Sequence, residues 1–429
     1  MSTGTEKKQL KPYHGIGIFI FFIVVFPFIA VPIQAKWGMY GLAVTELLIL
    51  LFALIPALIL KADLKEVFPL KWPKFRQIIG VFFLWSGSFI IVLLVSLIIE
   101  HFFPGIKEVS NAIYRFTTSV PMAIAFAIMA VMPAICEEAF HRGFILSSLA
   151  SIKSKWVVIL LMGFIFGVFH LDFYRFLQTA ILGGVLTYIM IESGNMALPI
   201  LFHLINNAVP TLASFSVVPP DTAMTKVDLS AAIPGYLILG SIVPFLLLIG
   251  SALVREKSLA DDAIDIDLKK KRRRIKTALA CVCSVLMLLA GMAAMVAHIN
   301  RPPAFETSVS MNVNYNSDDL HIPMKLKSPG EYMFNLEINC ERGMVDFEIV
   351  DDSGKVIYQT SCSKLTSNGL IQLENTTYTI NVDFLMDMKE IDEYYVRKGY
   401  DYSDSLKDAL NLNGNPDDMT SFEMSLIIR

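Results

Sequence analysis

About nine apolar stretches, each near twenty residues long, recur along this 429-residue chain. Each is long enough to cross roughly 30 Å of hydrocarbon. They fall at approximately 15–34, 39–60, 77–99, 119–150, 156–172, 175–192, 196–214, 233–254 and 277–298. Inside a bilayer every backbone N–H and C=O must find its partner within the protein, so stretches of this length fold as helices. The expectation is a mainly α chain: a polytopic transmembrane bundle of about nine spans over residues 1–300. The first stretch is not a signal peptide, because its apolar run is too long and no small-x-small cleavage site precedes Lys36. Charged residues make up only 17% of the chain and concentrate in short loops and the last third. There is no basic domain and no nucleic-acid reader motif, so no nucleic-acid partner is expected.

Lysine and arginine in the short loops set the expected orientation. Basic residues gather in the N-terminal tail (Lys7, Lys8, Lys11), after the second stretch (Lys61, Lys65, Lys71, Lys74, Arg76), after the fourth (Lys153, Lys155) and after the eighth (Lys257, Lys269 to Arg274). The alternate loops are poorer, and only Glu192–Asn195 lacks the basic residue its side should carry. A cytoplasmic N-terminus follows, and nine crossings place the C-terminal region outside a cell membrane. The first three stretches hold Pro27, Pro32 and Pro56 but no charge at the centre, and read as scaffold. Residues Lys61–Arg76, with Trp72 and Pro73, read as a positive-inside loop or a basic stretch on the membrane surface.

Beyond residue 300 apolar and polar residues alternate, as in Tyr332–Ile338, Val345–Val350 and Thr377–Phe384. Asp351-Asp352-Ser353-Gly354 between two such runs is a hairpin signal. Residues 301–429 are expected to form a small extracytoplasmic β-sandwich, with one helix around Ser403–Leu412. No His, Cys or acidic cluster there has catalytic spacing, so a structural role or binding of an external ligand or protein is expected. Cys136, Cys281 and Cys283 read as packing residues. Cys340 and Cys362 would pair only if their domain lies on an oxidising side.

The chemistry concentrates in Glu137-Glu138-Ala139-Phe140-His141-Arg142, inside an otherwise apolar run. Ionisable groups within a span are costly and mark function by default. At helical spacing Glu137 and His141 share one face, and Glu138 and Arg142 share the next. Glu138 and Arg142 are placed to form a charge-assisted pair. Pro133 leaves the carbonyl of Met129 without its helical donor, which predicts a kink one turn before Glu137. Two other stretches carry Phe166-x-x-x-His170 and His203-x-x-x-Asn207. Counting 1.5 Å per residue, all three motifs arrive near one depth in the bilayer. Singly, each group has a plain reading: a histidine or amide bonding a neighbouring helix, an ion pair fixing register, a phenylalanine packing against His170. Jointly they suit amide hydrolysis, with a buried carboxylate activating water and His and Asn stabilising an oxyanion. The same His residues with a Glu would also suit a catalytic zinc. Transport remains a further class, although no internal repeat separates the halves. The spacing Glu138-x-x-His141 also suits a di-iron bundle, but its second copy is absent.

Glu-Glu-x-x-x-Arg, Phe-x-x-x-His and His-x-x-x-Asn, each on its own span over about residues 119–210, resemble the CAAX protease and bacteriocin-processing (CPBP, or Abi) intramembrane endopeptidases. The resemblance implies that Glu137 activates water with Glu138 and Arg142 in support. It implies that His170, His203 and Asn207 orient the water and form the oxyanion site; no cofactor is expected on this glutamate reading, and a zinc-dependent version of the same protease is the alternative. His141 lies outside the family pattern and is assigned no role. Eukaryotic prenyl-protein proteases of this family end soon after their last span, whereas this chain adds a ninth stretch and an external domain. It is similar instead to bacterial members, which implies peptide maturation, bacteriocin immunity or regulated cleavage of a membrane-embedded or lipid-linked peptide. A non-catalytic immunity or sensor protein is the remaining alternative.

Overall fold

The computed structural model of this chain describes residues 9–103, 105–216, 229–256, 266–313, 317–385 and 419–428. The chain divides into two compact units, Met1–Ile299 and Asn300–Arg429. The helix expected around Ser403–Leu412 lies outside the described residues.

The first unit is helical. Helix α1 (Pro12–Ile59) is broken at Gly38, whose φ of +54° suits a residue without a Cβ. Its two arms fold back on each other, with Gln34 donating to Thr45 at 2.9 Å and the rings of Phe22 and Phe52 5.2 Å apart. At Gly41 a Cβ would lie 2.6 Å from the carbonyl oxygen of Ile33, so the close approach needs glycine there. There follow α2 (Leu64–Val67), α3 (Phe75–Phe102), α4 (Ile106–Thr117) and α5 (Met122–Ser148). The remaining helices are α6 (Lys155–Phe169), α7 (Phe176–Ser193), α8 (Ala197–Ala213), α9 (Leu229–Gly240), α10 (Val243–Val254) and α11 (Ile266–Ile299).

Among the described residues, six helices are long and apolar enough to cross a membrane: α1, α3, α5, α7, the α9–α10 pair from Ala232 to Val254, and α11 from Lys270. The count differs from nine for identifiable reasons. Two apolar stretches fall within α1, while α6 and α8 have only 15 and 17 residues, roughly 22 and 26 Å. The eighth stretch is interrupted at Ser241–Ile242. Helix α4 was not expected, because its charged and polar residues hide an amphipathic period inside a short connection. The loop at Lys61–Arg76 contains α2, capped by Asp63, and is tied to the α7–α8 turn: Met196 N donates to Pro69 O and Lys71 N to Asn195 Oδ1. Glu192 at that turn meets Lys155 and Arg255 at 2.5 and 3.5 Å, and Lys74 pairs with Glu256. The basic connections thus converge at one end of the bundle, and Glu192–Asn195 lies among them despite having no basic residue of its own. The ring pair Phe103–Phe173 joins two of the basic-poor connections.

The second unit is an antiparallel sheet domain of eight strands: β1 (Phe305–Val313), β2 (Leu320–Lys325), β3 (Gly330–Cys340), β4 (Met344–Asp351), β5 (Val356–Cys362), β6 (Lys364–Leu373), β7 (Thr377–Leu385) and β8 (Thr420–Ile428). They form two four-stranded sheets, ordered β1-β8-β3-β6 and β2-β7-β4-β5. Alternate residues of both sheets, such as Leu336 and Leu426 from one and Phe347 and Ile380 from the other, join a single apolar cluster. The expected hairpin turn joins β4 to β5, with Gly354 at φ +82° and Asp351 Oδ1 accepting from the backbone N of Ser353 and Lys355. Cys340 and Cys362 are free thiols.

Candidate active site

Helix α5 carries the acidic motif and is not a uniform α-helix. Residues Ala127–Val131 and Ala139–Ile145 take the wider π-helical turn, flanking an α-helical segment from Met132 to Glu138. The first π stretch lies directly before Pro133, where the missing N–H was expected to disturb the helix. The second runs through His141 and Arg142. All four motif side chains are buried: Glu138, His141 and Arg142 have no exposed surface and Glu137 has 7%.

Glu138 is the fixed point of the cluster. Its Oε1 accepts from Arg142 Nη1 and from His203 Nδ1, both at 2.8 Å. A carboxylate holding a guanidinium and an imidazole in a dry interior satisfies charges that would otherwise be prohibitive there. Arg142 also donates through Nη2 to Gly183 O at 3.0 Å, and that carbonyl accepts from Thr187 Oγ1 as well. The guanidinium lies 4.5 Å from the centre of the Phe166 ring, a cation–π contact.

His203, on α8, is thereby oriented from both sides. Its Nδ1 bonds Glu138 Oε1 and its Nε2 faces Glu137 Oε2 at 3.9 Å. The acids and one imidazole predicted to meet do meet, from helices more than sixty positions apart in sequence. His170 caps the C-terminal end of the 15-residue helix α6, directly before Leu171 at φ +49°. Its Nδ1 donates to Phe166 O at 2.8 Å, leaving Nε2 as an acceptor. It lies within electrostatic reach of His203 and Arg142. Asn207 is one turn beyond His203, half-buried, and its Oδ1 accepts from Asn206 at 3.3 Å. Among the described residues, no hydrogen bond joins His170 or Asn207 to the two acids.

Three features were missed in the sequence. Phe166 does more than pack against His170: its ring stands 4.8 Å from His170, 5.0 Å from His141 and 5.8 Å from His203, besides carrying Arg142. His141 bonds through Nδ1 to the backbone carbonyl of Glu137, not to its carboxylate, and its Nε2 has no partner. Glu46, eight residues into the second apolar stretch, is buried with 4% exposure, so the first three stretches are not free of internal charge. The signal was a lone acid in an apolar run, which Thr45 beside it did nothing to conceal.

Among the described residues no three His, Cys, Asp or Glu side chains form a metal-holding group.

Residues 119–209 match the family model of the Rce1-like type II CAAX prenyl endopeptidases. This segment is a CAAX-protease-type domain. It begins just before α5 and ends within α8, so it contains Glu137, Glu138, His141, Arg142, His170, His203 and Asn207. No curated protein and no solved structure matches the chain. With six helices of crossing length among the described residues, the chain is a multi-pass membrane protein that carries a segment similar to the CAAX proteases.

Proposed function

We propose that the chain is an intramembrane endopeptidase that hydrolyses a peptide bond in a membrane-embedded or lipid-linked peptide, using water activated by Glu137. The observation that carries this reading is the Glu138 carboxylate oxygen, held 2.8 Å from both Arg142 and His203 while the free nitrogen of His203 faces Glu137. Such an array orients a water between a base and an imidazole acceptor.

Glu137 takes one proton from the water as its oxygen bonds to the scissile carbonyl carbon. The same proton passes to the leaving nitrogen as the C–N bond breaks. Glu138 and Arg142 hold His203 in the tautomer that accepts at Nε2, and His170 offers a second Nε2 from the end of α6. The amide of Asn207 supplies the donor for the developing oxyanion. Burial of the cluster strengthens each of these contacts.

The matched family's name refers to prenylated CAAX sequences, and a lipid-linked peptide enters this site most directly from the side of the bundle. Counting the two arms of α1 separately and adding α6 and α8 gives nine crossings. With the basic end of the bundle in the cytoplasm, the sheet domain then lies outside a bacterial membrane. Its two sheets act as a β-sandwich for an external ligand or protein. Peptide maturation, bacteriocin immunity and regulated cleavage all fit this arrangement.

The test uses the full chain purified into liposomes with two internally quenched peptides. One is S-farnesylated on a cysteine, and the other contains one apolar membrane-crossing segment. Wild type should cleave at least one, and Glu137→Gln should be slower by about 100-fold or more with an unchanged melting temperature. Equal cleavage by both proteins, or none by wild type, would contradict the assignment.

A further inference from the structure

Glu46 lies on the second arm of α1, outside the segment that matches the protease family. It is 4% exposed, and its Oε2 is buried without a hydrogen-bond partner. The neighbouring hydroxyl does not serve it, because Thr45 Oγ1 donates to Leu42 O and accepts from Gln34. A carboxyl with no scaffold bond, in a helix otherwise packed through Ile49, Ala53 and Ala57, is a cost to the fold and not one of its supports. Glu46 does have a neighbour of its own kind. Glu46 and Glu137 lie within electrostatic reach of one another, and Ile49, one turn beyond Glu46, shares an apolar cluster with Cys136 and Ala139 on either side of the Glu137–Glu138 pair. Glu137 has a buried, unpartnered oxygen too, its Oε2. Helix α1 packs directly on the Met132–Glu138 segment of α5, the segment that carries Glu137.

We propose that Glu46 is a third carboxyl of the site, a positioning residue that shares one proton with Glu137 and so fixes the orientation of the base. The inference rests on the protease reading above. Two carboxyls facing one another in a dry interior are accommodated when one proton lies between them. Held on Glu46, that proton makes a hydrogen bond to one oxygen of Glu137 and leaves the other free to accept from water. During hydrolysis the water's proton moves to Glu137 and then to the leaving nitrogen. The shared proton remains between the acids, so Glu46 is unchanged at the end of the cycle.

The role predicts a specific split between two substitutions. Glu46→Gln keeps the shape and an N–H donor, whereas Glu46→Met keeps the volume and removes the donor. With the full chain in liposomes and the farnesylated peptide as probe, Glu46→Met should lower kcat about 10-fold or more with KM within about twofold. Its melting temperature should be equal or higher, because an apolar side chain replaces a buried unpaired carboxyl. Glu46→Gln should recover to within about threefold of wild type. Wild-type turnover by the Met variant would overturn the proposal. So would an equal loss in both variants, or a Met variant that unfolds or melts lower in step with its lost activity. Glu137→Gln is measured alongside: if it cleaves like wild type, the protease reading itself has failed. If it is inactive while Glu46→Met is fully active, only the role of Glu46 falls.

Discussion

Glu138 holds the cluster together more than Glu137 does, because one of its oxygens is shared by Arg142 and His203. Removing it leaves a guanidinium with no exposed surface, one hydrogen bond to the Gly183 carbonyl and the face of the Phe166 ring. Glu138→Leu should therefore destabilise the bundle by about 3–5 kcal/mol in a denaturant titration. Glu137→Leu, which breaks no ion pair of that kind, should cost far less; equal losses would show that the pair is not what supports the helices. A second residue-scale consequence lies in the sheet domain. Burial, aided by the nearby Cys340 and Asp346, pushes the Cys362 thiol up to about 11. Its thiolate fraction in the folded protein is therefore small at neutral pH and rises about tenfold per pH unit. Alkylation of the Cys362 peptide, followed by mass spectrometry, should keep accelerating past pH 9; a plateau near the ordinary value of 9.0 would contradict the burial argument. The residues that carry the chemistry were legible because charge in an apolar run is hard to hide. Glu46 was as visible as Glu137 but had no motif around it. The reach of the Phe166 ring was not legible, since which side chains a ring touches depends on how three helices cross.

At the scale of elements, α6 and α7 show what apolar length conceals. The pair packs through small residues: a Cβ on Gly163 would stand 2.7 Å from the carbonyl oxygen of Ala180, and one on Gly183 would stand 2.5 Å from the Cβ of Phe166. This closeness lets the Gly183 carbonyl reach Arg142 and keeps Phe166 under the guanidinium. Gly163→Ala should push the helices apart, lowering stability by about 1–3 kcal/mol and cleavage with it. An unchanged melting curve would mean that the contact is slack. The helical character of these stretches could be read from hydropathy, but their ends could not. Hydropathy registers how far an apolar run extends and is blind to a left-handed residue such as Leu171, which stops α6 at His170. It is equally blind to Gly38, which makes two antiparallel arms of one 48-residue helix. The strands were better marked, because alternation and the Asp351–Gly354 turn signal register directly.

For the whole molecule, the separation into a helical unit and a sheet unit followed from a change of period near residue 300, from long apolar runs to alternation. The proposed role of Glu46 adds α1, which lies outside the matched segment, to α5 and α8 inside it. In the proposed mechanism a carboxylate, Glu137, and not a metal ion, activates the water. The most direct measurement is the cleavage rate of wild type and Glu137→Gln after metal stripping, with metal content determined in the same samples. Stripped wild type should retain its rate with far less than one metal per chain, while Glu137→Gln should stay inactive whether or not zinc is added. Activity that disappears on stripping and returns in proportion to added zinc would contradict the mechanism.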